Sequence, residues 1–100
     1  MTVILNIGMN HETAPVSLRE VLATDAGNDT TASAFMAECG SIREALFFST
    51  CNRVEAVAVG GDSALMKAAV VSVMARLGKI PVERLSPCLY TLSDREAIKH

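Results

Sequence analysis

Two short apolar runs, Glu44–Ser49 and Val54–Val59, are separated only by Thr50-Cys51-Asn52-Arg53. Each run has the length of a strand. A connection this short joins neighbouring antiparallel strands, since a parallel pair needs a crossover of about a dozen residues or more. The middle of the chain is therefore committed to an antiparallel sheet with a corner between its strands. The corner contains no glycine, and no Asn-Gly or Asp-Gly pair of the kind that two-residue hairpins use. It carries a hydroxyl, a thiol, an amide and a guanidinium instead. So side-chain-rich a connection is a poor choice for turning alone, which favours a functional role.

The remaining elements fall in order around that corner. Val3–Gly8 is β-branched and apolar and reads as a first strand. Asn10–Pro15 follows as a loop, with Pro15 removing a backbone donor. Ser17-Leu18-Arg19-Glu20 has the form of a capping box, with Val16 and Val21 as its staple, so a helix is expected from Leu18 to about Thr24. Asp25–Asp29 is a turn. A second helix is expected from Thr30 or Thr31 to Cys39, with Phe35 and Met36 buried and Gly40 as its C-cap. After Gly60-Gly61, Asp62 is a good N-cap for a helix over Ser63–Leu77. Its apolar stripe of Leu65, Met66, Ala69, Val70, Val73, Met74 and Leu77 follows the helical period. Gly78 and Pro81 end it. Pro87–Leu92 reads as a fourth strand. Ser93-Asp94-Arg95-Glu96 opens a last helix that has run less than two turns at His100, so the chain is expected to be a fragment of something longer.

This order is β-α-β-β-α-β plus a truncated C-terminal helix: an α+β, ferredoxin-like fold with an antiparallel four-stranded sheet and helices on one face. The 100 residues suffice for one domain with one core.

Composition narrows the chemistry. Nine basic against eleven acidic residues leave a formal net charge of −2, so nothing grips a phosphate backbone nonspecifically. An RNA-recognition module on this fold needs exposed aromatics on its middle strands. Phe47 and Phe48 are adjacent and face opposite sides of the sheet, which leaves no stacking platform. The three cysteines, Cys39, Cys51 and Cys88, are odd in number, and no two have the C-x-x-C spacing. Zinc ligation and a disulfide framework are both poorly supported, no metal is expected, and a reducing cytoplasm fits best. The N-terminus lacks a basic leader, and charged or polar residues interrupt the apolar stretches, so neither a signal peptide nor a membrane span is expected.

Two segments carry a resemblance. Gly8 to Glu20 (GMNHETAPVSLRE) resembles the N-terminal signature of glutamyl-tRNA reductase, and Ser49 to Glu55 (STCNRVE) resembles that family's catalytic-cysteine motif. Glu96 to His100 (EAIKH) is similar to the segment ending in the family's active-site histidine. Met9, Glu12 and Val54 stand where the family pattern has Leu, Lys and Thr; none is a group with an expected chemical role.

The resemblance implies a two-step reaction at the entry to tetrapyrrole synthesis. A cysteine thiolate takes the glutamyl group from glutamyl-tRNA(Glu) as a thioester, and NADPH then reduces the thioester to glutamate-1-semialdehyde. Cys51 corresponds to the nucleophile, His100 to a histidine important for activity, and Thr50, Asn52 and Arg53 to positions that contact the substrate. A homodimer and hand-off of product to glutamate-1-semialdehyde aminomutase are implied for the full-length protein. The residues suit these roles. A thiol of pKa about 8.5 is roughly 3% thiolate at pH 7 and already strongly nucleophilic. Arg53 is planar and permanently charged, suited to bidentate capture of a carboxylate. No G-x-G-x-x-G follows a strand, so the NADPH-binding and dimerising parts are expected to lie outside residues 1–100. The alternatives on the same fold are a non-catalytic small-molecule sensor and an RNA-binding module. Arg53 has a surface pairing with Glu55 or Glu44 as its bland alternative. His11 and Asn10 are expected to brace their loop.

Overall fold

The computed structural model of the chain describes residues 2–23, 28–49 and 53–94. Its elements are β1 (Val3–Asn10), α1 (Val16–Ala23), α2 (Asn28–Glu38), β2 (Ile42–Ser49), β3 (Arg53–Gly60), α3 (Ser63–Gly78), the single-turn α4 (Val82–Leu85), a 3-10 turn (Ser86–Cys88) and β4 (Tyr90–Ser93). The four strands form one antiparallel sheet in the order β2-β3-β1-β4. This is the ferredoxin-like class expected from the order of elements.

Residues directly opposite each other on antiparallel strands share a face. Leu5 pairs with Ala58, Ile7 with Ala56 and Met9 with Val54, and all six are buried. Phe47 joins them opposite Ala56. Leu22, Phe35, Met66, Val70, Met74 and Leu85 pack into the same cluster, so all four helices serve one side of the sheet. Each large side chain so buried stabilises the fold by about 1.5–3 kcal/mol. Phe35 and Phe47 meet edge to face with centroids 5.9 Å apart. The other side carries Leu46 and Phe48, both exposed. Adjacent Phe47 and Phe48 thus do face opposite ways.

α3 is the helix the sequence described best. Asp62 caps it, its carboxylate accepting from the Leu65 amide at 3.0 Å. Met66, Ala69, Val70, Val73 and Met74 are buried as the stripe requires, whereas Leu65 is exposed. Its C-terminus differs from expectation. Gly78 is still helical, and the left-handed residue is Lys79, at φ 55°. Gly78 is small for packing: a Cβ there would lie 3.0 Å from Leu22 Cδ2 and 2.9 Å from Ile80 Cδ1.

Other boundaries move. β1 continues to Asn10. α1 begins at Val16, so Ser17 lies inside it and the capping box is not formed; the Pro15 carbonyl accepts from Leu18 and Arg19 instead. Val16 is exposed, and its expected staple partner Val21 has a side chain outside the described ones. α2 stops at Glu38, Met36 is exposed, and Gly40 is not left-handed. Pro81 opens α4 rather than only ending α3, because the turn inserts Leu85 into the core. Pro87 and Cys88 consequently lie in the 3-10 turn, and β4 starts only at Tyr90. Ser93 ends β4, and the helix expected beyond it lies outside the described residues.

Candidate functional site

The two motifs, about 30 residues apart along the chain, are paired in register. Gly8 stands opposite Glu55, Met9 opposite Val54 and Asn10 opposite Arg53. Ser49, the last residue of β2, pairs with Val54. The end of β2 and the start of β3 therefore adjoin the loop that leaves β1.

That loop is held by its own side chains. Asn10 Oδ1 accepts from the Glu12 and Thr13 amides at 2.9 and 3.1 Å, and Thr13 Oγ1 accepts from the Asn10 amide at 2.9 Å. Such Asx-type bonding fixes a turn locally. Asn10 braces the loop as expected. His11 is exposed and only approaches Glu12, at 3.7 Å.

Arg53 opens β3 with its side chain 46% exposed and Nη1 4.0 Å from Glu55 Oε1. The pairing with Glu55 is thus present, but it is not a surface pair, because Glu55 is only 3% exposed. The other carboxylate oxygen accepts from the Tyr90 hydroxyl of β4 at 2.5 Å, the length of a charge-assisted bond. Burial raises the pKa of Tyr90 well above its ordinary value, and the hydrogen bond and charge of Glu55 raise it further, while Arg53 pulls the other way. The phenol therefore stays protonated and donates. Tyr90 and Glu55 stand on the two strands that flank β1, and both face Gly8. A Cβ on Gly8 would lie 3.0 Å from the Tyr90 oxygen, 3.0 Å from Glu55 Cγ and 2.6 Å from the Val54 carbonyl. Next along the same face, Asn6 is buried, and no donor among the described residues reaches its Oδ1.

Of the expected site residues, Arg53 is the one the structure describes. Thr50, Cys51, Asn52 and His100 lie outside the described residues. Sequence reasoning missed Gly8, Glu55 and Tyr90 as a unit. The available signal was Glu55 itself, an acidic residue within an otherwise apolar strand. Among the described residues no cluster of three or more His, Cys, Asp or Glu is arranged to hold a metal. Cys39 and Cys88 are free and partly buried. No helix of the described residues is long and apolar enough to cross a membrane. The β1–α1 turn does not fit a dinucleotide. It has no glycine, and two of its amides, those of Glu12 and Thr13, are already bound by Asn10. A groove lined by Met36, Arg43, Leu46, Val57 and Val59 lies toward the far end of β2 and β3 and shares no residue with the cluster.

Comparison with known proteins bears on this geometry. A family described as "Glutamyl-tRNAGlu reductase, N-terminal domain" matches residues 7–100. The chain is 38% identical over 99 residues to a glutamyl-tRNA reductase of Syntrophus aciditrophicus, covering 97% of this chain and 23% of that protein. It is 37% identical over 94 residues to one from Neisseria meningitidis, covering 94% of this chain and 21% of the relative. The chain thus spans less than a quarter of the length of these relatives. Among solved structures, a cofactor-independent oxygenase from Streptomyces nogalater aligns over 93% of this chain and 87% of its own with a TM-score of 0.40 and 15% identity, too distant to inform the reading.

Proposed function

Since the chain belongs to the glutamyl-tRNA(Glu) reductase family through its N-terminal domain, we propose that it supplies the acyl-accepting half of that reaction, with Cys51 as nucleophile. The observation that carries this reading is the in-register pairing of Gly8–Asn10 with Arg53–Glu55. It sets a half-exposed arginine two residues along the chain from the cysteine, beside a braced loop.

The chemistry follows from the residue types. The Cys51 thiolate attacks the carbonyl carbon of the aminoacyl ester. A carbon–sulfur bond forms, the carbon–oxygen bond to the tRNA ribose breaks, and the departing oxygen takes up a proton. An aminoacyl ester is a reactive donor, so a modest rise in thiolate fraction suffices. Arg53 takes the side-chain carboxylate of the glutamyl group in a two-pronged bond, which separates glutamate from glutamine. Thr50 and Asn52 offer donors to the substrate carbonyl and acceptors to its amine. His100 is the second group assigned to the active site. NADPH, the reductant of the complete reaction, finds no seat in the β1–α1 turn, so no reduction step is assigned to this chain. In this reading the substrate is glutamyl-tRNA(Glu), and the full-length protein is a cytoplasmic homodimer that passes its product to glutamate-1-semialdehyde aminomutase.

The test is release of glutamate from charged tRNA by the chain. Hydrolysis of the thioester makes wild type faster than Cys51→Ser. Equal rates for the two overturn the assignment of acyl transfer to this chain.

A further inference from the structure

The reading above gives Arg53 a role and leaves Glu55 and Tyr90 without one. Yet Glu55 is an acidic side chain only 3% exposed on an apolar strand. A carboxylate is carried into such a place only with partners for its oxygens. Here the two oxygens are divided. Oε2 is bound by the Tyr90 hydroxyl at 2.5 Å, and Oε1 looks toward Arg53 Nη1 at 4.0 Å.

We infer that Glu55 and Tyr90 are positioning residues for Arg53, holding its guanidinium ready for the second carboxylate of the acyl donor, and that Gly8 is the opening through which they meet. The inference rests on the reading of Arg53 as the carboxylate clamp. Arginine is long and rotamer-rich, so a clamp left free would be ordered at each binding event; holding it beforehand removes part of that cost.

The spacing matters to the device. A short two-pronged pair with Glu55 would spend the arginine's donors and cancel its charge. At 4.0 Å Glu55 steers the guanidinium without saturating it. Tyr90 makes this possible by occupying the other oxygen of the carboxylate, which fixes its plane from β4 and draws on its acceptor strength. The side chain of Arg53 remains 46% exposed, reachable by a ligand from solvent. Gly8 is obligatory to the arrangement. Tyr90 and Glu55 bond across β1, and any side chain at Gly8 would meet both within 3.0 Å.

The experiment compares deacylation of glutamyl- and glutaminyl-charged forms of the same tRNA by wild type, Tyr90→Phe, Glu55→Gln and Arg53→Lys. A positioning role makes Tyr90→Phe and Glu55→Gln slow the glutamyl donor about tenfold more than the glutaminyl donor, through KM rather than kcat. Equal slowing of both donors marks a merely structural role and overturns the inference. Loss of preference in Arg53→Lys alone overturns it too, while leaving the clamp standing. Retention of preference by Arg53→Lys overturns the clamp, and absence of turnover in every form overturns the proposed function and this inference together. A second readout needs no turnover. Tyr90 is the only tyrosine, and there is no tryptophan. Its ultraviolet phenolate transition therefore moves to lower pH in Glu55→Gln, which removes the charge of Glu55 but not the burial; an unmoved transition overturns the Tyr90–Glu55 link.

Discussion

Gly8 lies between Glu55 and Tyr90, with the Val54 carbonyl closest of all at 2.6 Å from where a Cβ would stand. Backbone cannot give way as a flexible side chain can, so Gly8→Ala forces the strands apart. The expected destabilisation is about 1–3 kcal/mol, read from urea unfolding, with the Tyr90 transition shifted toward its ordinary value. Unchanged stability and an unmoved tyrosine together contradict the packing described for this residue. Glu55 repeats the lesson at its own position. An acidic residue in an apolar strand reads from sequence as a surface group on the solvated face. Register places it instead under Tyr90, a residue 35 positions away, and only the assembled sheet brings the two together.

Among the elements, α3 was legible because everything that defines it is local: a capping aspartate and a helical apolar period. Asp62→Ala removes the acceptor for the Leu65 amide and is expected to cost about 1 kcal/mol of stability in denaturant unfolding; no loss contradicts the cap. The strands β1, β2 and β3 were legible for the same reason, through apolar runs of strand length. The misread ends were set by competing local backbone bonds in one case and by packing in two. Ser17 has the chemistry of an N-cap, but Pro15 already supplies the carbonyl that starts α1. Gly78 has the chemistry of a stop, but it is used to admit Leu22 and Ile80. Pro81 has the chemistry of a terminator, yet it begins the turn that buries Leu85. At the candidate site, the motifs and Arg53 were readable as residue types. The Arg53–Glu55–Tyr90 chain was not, because it spans β3 and β4 with β1 between them.

For the whole molecule, Tyr90 links folding to alkaline pH. Its pKa is raised in the folded chain by burial and by Glu55. Below about pH 10 both folded and unfolded chains keep the phenolic proton, and the contribution to stability is fully present. Above that the unfolded chain loses its proton first, so stability falls as pH rises. Wild type should therefore lose stability more steeply than Tyr90→Phe as pH rises above about 10; parallel slopes contradict the shift. The sheet also gives the molecule two unequal sides. One is sealed by four helices, and the other carries the Arg53–Glu55–Tyr90 cluster with Leu46 and Phe48 exposed beside it. All of the proposed chemistry depends on a covalent glutamyl group formed at the corner between β2 and β3. The direct measurement is intact-mass and peptide mapping of the chain quenched in acid after brief exposure to glutamyl-tRNA(Glu). The account predicts one added glutamyl residue, on the peptide bearing Cys51, removed by hydroxylamine and absent in Cys51→Ser. An adduct on Cys39 or Cys88, or no adduct on any of the three cysteines, would contradict it.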